Sequence, residues 1–97
     1  MIRNLVISNR AEADLREIWS WTYRRFGEAQ ADRYLDELGD GLQRCEAEPE
    51  RGKNRSTVRP VYWSQLVRHH LVFYTFTQRE VVIQRVLHGR MDPVRHV

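Results

Sequence analysis

Residues 81–92 read VVIQRVLHGRMD, and the rest of the chain can be arranged around this stretch. Five of its first seven residues are apolar and four of them are β-branched, a composition typical of a strand with neighbours on both sides. Residues 66–76 (LVRHHLVFYTF) form a second β-prone run, and the polar residues 77–80 between the two suit a short hairpin loop. The sequence therefore predicts an antiparallel pair in which residues 81–92 are a central strand.

Composition limits the class of protein. The chain has 97 residues, of which 41% are hydrophobic and 30% charged, so it suits one domain spanning residues 1–97 with a modest core. Cys45 is the single cysteine, which excludes an intramolecular disulfide and a cysteine-rich zinc site. Residues 1–10 (MIRNLVISNR) lack the long apolar core typical of a secretory leader, and no apolar run in the sequence approaches about 20 residues. We therefore expect a cytoplasmic protein with no membrane segment, metal or cofactor, and we expect no small-molecule substrate.

The first half of the chain predicts a strand and two helices. Residues 2–7 are β-prone and lead to Ser8 and Asn9, both suitable N-caps, with Asn9 and Glu12 resembling a capping box. The first helix is predicted to end at about Phe26, before Gly27, and the second to span residues 28–48, before a proline. Each helix has an apolar stripe at spacings of three and four. The stripes are Ala11, Leu15, Ile18, Trp19, Thr22 and Phe26, and Ala31, Tyr34, Leu35, Leu38, Leu42 and Cys45.

Between the second helix and the strand pair, residues 50–57 (ERGKNRST) are polar and predict an exposed loop. Residues 58–62 are β-prone, but Pro60 confines a strand there to an edge or a bulge. His69 and His70 are adjacent in a β-prone run, so they are expected on opposite faces and do not form a close metal pair.

Charge is distributed unevenly along the chain. Residues 1–50 hold seven Arg and eleven Asp or Glu, giving −4, whereas residues 51–97 hold eight Arg, one Lys and two acids, giving +7. Arginine matches planar carboxylate and phosphate groups better than lysine does. The asymmetry predicts a basic face that meets an acidic partner or nucleic acid, and the alternative is an uneven solvated surface.

Five pieces of the sequence together resemble the ParE-type toxins of the RelE/ParE superfamily. They are ADLREIWSW (13–21), FGEAQADRYLDEL (26–38), EPERG (48–52), HHLVFY (69–74) and RVLHGRMDPVRHV (85–97). The last piece is the most specific, and the resemblance covers nearly the whole chain. It implies an α+β fold of order β-α-α-β-β-β, with a helical hairpin packed on a small antiparallel sheet. It also implies a non-enzymatic toxin that is neutralised by a cognate antitoxin protein and that arrests growth by acting on DNA gyrase.

The resemblance and the residue pattern together indicate candidate site residues. The candidates for contact with the target are Arg59 and His88, which match family positions, and the basic residues Arg68 and Arg90; the matched C-terminal signature includes Arg85, Asp92 and His96. Trp21 and Tyr23 lie off the apolar stripe of the first helix and are candidates for contact with the antitoxin, and the alternative for them is partial burial against the second helix. For Arg85, His88 and Asp92 the alternative is a structural network that fixes the chain end against the sheet. Relatives often carry arginines where this chain has Trp63 and Ser64, so its basic patch is thinner.

An enzymatic alternative also follows from the superfamily. RelE-type relatives cleave ribosome-bound messenger RNA with basic residues and a C-terminal Tyr or His. This chain has Arg and His in comparable regions, and a basic sheet can bind RNA backbone. No tyrosine follows Tyr74, however, and the histidines are dispersed along the sequence. These observations favour gyrase inhibition over ribonuclease activity.

Overall fold

The computed structural model describes residues 3–57 and 61–88. Within them the chain forms β1 (Asn4–Ile7), α1 (Asn9–Phe26), α2 (Glu28–Ala47), a 3₁₀ turn (Pro49–Arg51), β2 (Lys53–Asn54), β3 (Trp63–Val67), β4 (His70–Phe76) and β5 (Glu80–His88). The strands make one sheet, and the α1–α2 hairpin packs against it. The predicted α+β class and helical hairpin are confirmed.

The sheet is ordered β1-β5-β4-β3-β2 in the described residues, so β5 has a neighbour on each side, as predicted, and β4 is the middle strand. Strands β2 to β5 are antiparallel to their neighbours, whereas β1 runs parallel to β5. The sheet is therefore mixed. A parallel pair needs a long crossover connection, and the helical hairpin provides part of it because it lies between β1 and the rest of the sheet in sequence.

The start of α1 differs from the prediction by one residue. Ser8 is the N-cap: its backbone is extended, and its hydroxyl accepts a hydrogen bond from the Ala11 amide at 3.1 Å. Asn9 is the first helical residue, so the predicted capping box between Asn9 and Glu12 was wrong. The helix ends at Phe26 as predicted, and Gly27 adopts a φ of 89°, which a residue without Cβ accommodates easily.

Residues 66–76 are two strands instead of one. The chain reverses at Arg68 and His69, so that Leu66 pairs with Leu71 and Val67 with His70. His69 and His70 were predicted to lie on opposite faces of one strand. Instead, His69 is in the turn and His70 is the first residue of β4. The sequence hid this turn because the reversal uses Arg and His in place of Gly, Asn or Pro.

The preceding segment also differs from the prediction. The loop predicted over residues 50–57 contains part of the 3₁₀ turn and the short strand β2. Val61 and Tyr62 precede β3 without belonging to it, and residues 58–60 of the predicted edge strand lie outside the described residues.

The core lies between the helices and one face of the sheet. It includes Ala11, Leu38, Leu42, Cys45, Val67, Val72, Tyr74, Val81, Ile83 and Val86. Burial raises the pKa of the Cys45 thiol to about 11, consistent with its predicted role as a core residue. Phe26, assigned to the apolar stripe of α1, is instead 64% exposed. Neither helix in residues 3–57 and 61–88 combines the length and apolar character needed to cross a bilayer.

Candidate functional site

Arg85 connects β5 to α1. Its guanidinium donates two hydrogen bonds to the Asp14 carboxylate, at 2.8 and 3.0 Å, and both side chains are only 13% exposed. The hydrogen bonds to Asp14 raise the pKa of Arg85. The Val86 amide also donates to Asp14, at 2.9 Å. Since β1 pairs with β5 only as far as Ile83, Asp14 supplies an acceptor where the neighbouring strand has ended.

Arg85 therefore takes part in a structural network, and its carboxylate partner there is Asp14. The network runs from Arg85 to α1, and the predicted partner region at Asp92 lies outside the described residues. Ser8 adds a further contact to the same edge, because its hydroxyl donates to the Gln84 carbonyl at 3.1 Å. Arg85 is consequently part of the helix–sheet junction.

At the C-terminal end of β5, several polar side chains meet at what we call the sheet tip. The sheet tip comprises the β3–β4 turn, the end of β5 and the adjoining surface of α2, with Tyr34, Glu37, Arg68, His69, His70 and His88. His70 and His88 are cross-strand partners, and their rings are 5.4 Å apart in a T-shaped arrangement. The structure therefore brings two predicted target contacts, Arg68 and His88, to the same end of the sheet.

His70 is the buried histidine of this group. The Tyr34 hydroxyl is hydrogen-bonded to His70 Nδ1 at 2.6 Å, and it accepts a hydrogen bond from the His69 amide at 3.3 Å. Burial, with the nearby His88 and His69, lowers the pKa of His70 to about 4. The ring is therefore neutral at pH 7. Burial likewise raises the pKa of Tyr34.

Arg68 lies at the outermost point of the sheet tip. Its side chain is 59% exposed and forms a two-pronged ion pair with Glu37 of α2, with N–O distances of 2.6 and 2.9 Å. The hydrogen bonds between them lower the pKa of Glu37 and raise the pKa of Arg68. Arg68 therefore presents a positive group to solvent with one carboxylate already bound to it.

Trp21 and Tyr23 lie on α1, apart from the sheet tip. Their exposed fractions are 50% and 49%, as a role in partner binding requires. The rings of Tyr23 and Trp19 are stacked, with centroids 5.1 Å apart. The rings of Trp21 and Phe26 are edge-to-face, with centroids 6.3 Å apart, and Arg25 Cζ lies 4.9 Å from the Trp21 ring centroid. Residues two positions apart are about 200° apart around a helix, so Trp21 and Tyr23 belong to two separate exposed aromatic groups of α1.

The two positions where relatives often have arginine are used in packing. Ser64 is buried and its hydroxyl accepts a hydrogen bond from Arg55 Nε at 2.9 Å. Trp63 packs edge-on against Phe76, with ring centroids 5.4 Å apart. Arg55 thus brings a positive charge to this part of the sheet from the preceding segment, a contribution that sequence reasoning missed.

The remaining predicted site residues, Arg59, Arg90, Asp92 and His96, lie outside the described residues. Sequence reasoning also missed Asp14, Tyr34 and Glu37 as polar partners. Tyr34 belongs to the predicted apolar stripe of α2, and that pattern does not indicate that its hydroxyl binds a histidine. In the part of the chain that the structure describes, no three histidine, cysteine or carboxylate side chains converge to hold a metal ion.

Comparison with known proteins gives the class. Residues 5–93 match the family model described as the ParE toxin of the type II toxin–antitoxin system, parDE. The chain therefore belongs to the ParE toxin family. It is 38% identical over 98 residues to Toxin ParE1 of Mycobacterium tuberculosis, with full coverage of both chains. It is 34% identical to Toxin ParE1 of Caulobacter vibrioides, covering 94% of each, and 35% identical to Toxin ParE of Escherichia coli, covering 90% of this chain and 85% of that one.

A solved structure shares the fold. It is titled as the chromosomal ParDE TA system from P. aeruginosa, and it superposes with a TM-score of 0.79 over 90% of this chain and 96% of that chain. Its sequence identity is 16%, so this likeness concerns the arrangement of helices and strands.

Proposed function

We propose that this ParE-family toxin arrests growth by inhibiting DNA gyrase in the cytoplasm and is neutralised by a cognate antitoxin. The observation that carries the proposal is the family match over residues 5–93, together with full-length relatives named as ParE toxins. Gyrase is the target that the family resemblance implies. The role is that of a binding protein, for which a shaped and charged surface is sufficient.

The sheet tip is the proposed target surface. Arg68 and His88 are exposed there, and Arg68 is placed by a turn that projects from the sheet. Charge on such a surface contributes to partner choice and association rate as well as to contact energy. Arg59 and Arg90 remain proposed target contacts from the sequence.

The two exposed aromatic groups of α1 are the proposed antitoxin contacts. Trp21 and Tyr23 are large, half-exposed side chains, and aromatic residues are enriched among those that dominate binding energy. Separate Trp21→Ala and Tyr23→Ala substitutions should each weaken binding of the cognate antitoxin by about tenfold or more. Leu66→Ala on β3 is the matched control, because Leu66 is also an exposed apolar residue, at 67%. Equal binding by all three variants and the unchanged chain would place the antitoxin elsewhere.

The gyrase assignment is tested with purified chain, gyrase and relaxed plasmid. The expected result is inhibition of ATP-dependent supercoiling, with Arg68→Glu weaker than the unchanged protein and equally folded by circular dichroism. A parallel reaction with ribosomes and messenger RNA tests the enzymatic alternative. Transcript cleavage that is lost in His88→Ala, with gyrase fully active, would replace the gyrase assignment by a ribonuclease one.

A further inference from the structure

Arg68 occupies a backbone position that a smaller residue would adopt more easily. It is the first residue of the two-residue turn between β3 and β4, and its φ is +56°. Positive φ at such a position is usually supplied by Gly or Asn, because a Cβ crowds the backbone there. The side chain is also largely exposed, so packing does not compensate for this conformational cost. What the position gains from arginine is a guanidinium group at the sheet tip.

In this structure the guanidinium fork is filled by the Glu37 carboxylate. Both prongs are used, and both partners lie at the surface, with side-chain exposures of 59% and 31%. Ion pairs at the surface are screened by water and salt and contribute little to stability. Glu37 can therefore be replaced by another anion without disturbing the fold.

The surroundings of the pair favour an incoming negative group. His69 lies at the exposed turn with its ring parallel to that of Tyr34, 6.5 Å away, and His88 is exposed at the end of β5. Arg33 on α2 also helps to lower the pKa of Glu37, so its positive charge reaches the same carboxylate. Asp36 and Asp40 are exposed on α2 and would repel a polyanion lying along that helix. The site therefore fits one anionic group at the sheet tip better than a nucleic-acid strand that lies along α2.

We propose that Arg68 is the centre of a phosphate-binding site that Glu37 occupies in the free protein and leaves when a phosphate group binds. The fork geometry that holds Glu37 matches two phosphate oxygens as well. A carboxylate ligand would have to displace the Glu37 carboxylate, which has the same charge and is already held beside Arg68 by the fold. A phosphate with greater negative charge gains from the exchange, which favours it over an acidic peptide.

The phosphate can belong to a nucleic-acid terminus or backbone, or be a free phosphate group. The chemistry is shared, and the experiment separates the sources. The inference is independent of the proposed function, because it concerns binding by the isolated chain. A failure here would leave gyrase inhibition untouched, and a failure with gyrase would leave this site in place.

The test follows the Arg68 Nε–H signal in ¹⁵N-labelled protein by NMR. The probes are inorganic phosphate, a short oligothymidylate with a 5′-phosphate and the same oligothymidylate without one. The variants are Glu37→Gln, Arg68→Lys and Glu28→Gln. Glu28→Gln is the matched control, because it removes one exposed negative charge from the same helix at a site away from the tip. For Arg68→Lys, which lacks that signal, the His69 amide reports binding.

The expected result is that phosphate shifts the Arg68 signal and that Glu37→Gln tightens binding by up to about fivefold, the range for removing a competing surface ion pair. Glu28→Gln should leave the affinity close to that of the unchanged chain, and Arg68→Lys should weaken it. Preference for the phosphorylated oligothymidylate identifies a terminal phosphate, and equal binding of both identifies the backbone. Glu37→Gln no tighter than Glu28→Gln, or a polyglutamate peptide that binds better than phosphate, would overturn the proposal.

Discussion

The two helices are joined to the sheet by arginine–carboxylate pairs of similar geometry and different surroundings. The Asp14–Arg85 pair joins α1 to β5 with both side chains 13% exposed, and Asp14 also accepts from the Val86 amide. The Glu37–Arg68 pair joins α2 to the β3–β4 turn, and the Arg68 side chain is 59% exposed and the Glu37 side chain 31% exposed. The comparison shows that the number and length of hydrogen bonds do not decide what an ion pair does. Because the Asp14–Arg85 pair is buried, it is part of the fold. The Glu37–Arg68 pair lies at the surface and is accessible to a ligand.

The largest effect is expected at the buried pair. Asp14→Ala should lower the free energy of unfolding by about 3 to 4 kcal/mol, because it leaves Arg85 without this carboxylate and Val86 without its acceptor. Urea denaturation, read as a change in midpoint at constant slope, measures the loss. A double-mutant cycle with Arg85→Ala should show a coupling of about 1 to 3 kcal/mol. Additive single losses would show that Asp14 and Arg85 are energetically independent.

The second effect concerns pH at the α2 junction. Because the pKa of folded His70 is lowered to about 4, the unfolded chain binds more protons between pH 4 and the ordinary histidine pKa of about 6.5. Stability from this group should therefore be full above that window and be lost as pH falls through it, by at most about 3 kcal/mol. NMR titration of the His70 ring gives the pKa directly. A value near 6.5 would mean that burial and the neighbouring histidines do not keep the His70 ring neutral.

The acid-induced loss can be assigned by substitution. His70→Gln should flatten the pH dependence between pH 4 and 6.5 relative to the unchanged protein. His69→Gln is the matched control, since His69 is an exposed neighbour in the same turn. If both variants retain the full slope, carboxylates elsewhere account for it.

A third, smaller effect distinguishes two glycines of α2. A Cβ at Gly41 would lie 2.6 Å from Val67 Cγ2, so Gly41→Ala should destabilise by about 1 to 2 kcal/mol through overpacking. Gly39 has nothing within 4 Å of that position, so Gly39→Ala should stabilise by about 0.5 to 1 kcal/mol through helix propensity. Thermal unfolding of the two variants gives shifts of opposite sign. Two shifts upward would show that β3 can move away from α2.

The smallest effect is expected at the exposed pair. Glu37→Gln should leave the urea midpoint unchanged within error, because the exposed Arg68 guanidinium is hydrated by water when its carboxylate partner is removed. The result sharpens the comparison if Asp14→Asn, measured beside it, lowers the midpoint. A loss at Glu37 equal to that at Asp14 would show that both pairs are structural.

Local patterns in the sequence predicted the two helices and predicted β5 as an inner strand of the sheet. Gly27 ended α1, Pro49 followed α2, and the β-branched residues of β5 indicated a strand between two neighbours. The β3–β4 turn was missed, since Arg68 and His69 are not typical turn residues and the run around them is uniformly β-prone. Local sequence signals identify a turn only when its residues differ from those of the strands.

Long-range polar contacts could not be predicted in the same way. Arg85 and Asp14 are 71 residues apart in sequence, and Arg68 and Glu37 are 31 apart, so no spacing rule connects them. The sequence indicated Arg68 and His88 as surface candidates, and their convergence at one end of the sheet depended on the strand register. The candidate site was therefore predictable as a set of residue types, and its ion pairs and neutral histidine required the fold.

The most direct measurement of the proposed function is the amount of plasmid that gyrase leaves cleaved. Purified chain is incubated with gyrase, ATP and supercoiled plasmid, and the reaction is stopped with detergent and protease before electrophoresis. We predict that linear plasmid accumulates with toxin concentration, and that it is abolished when the antitoxin is added first. Unchanged supercoiled plasmid at toxin concentrations that arrest growth in cells would contradict gyrase as the target.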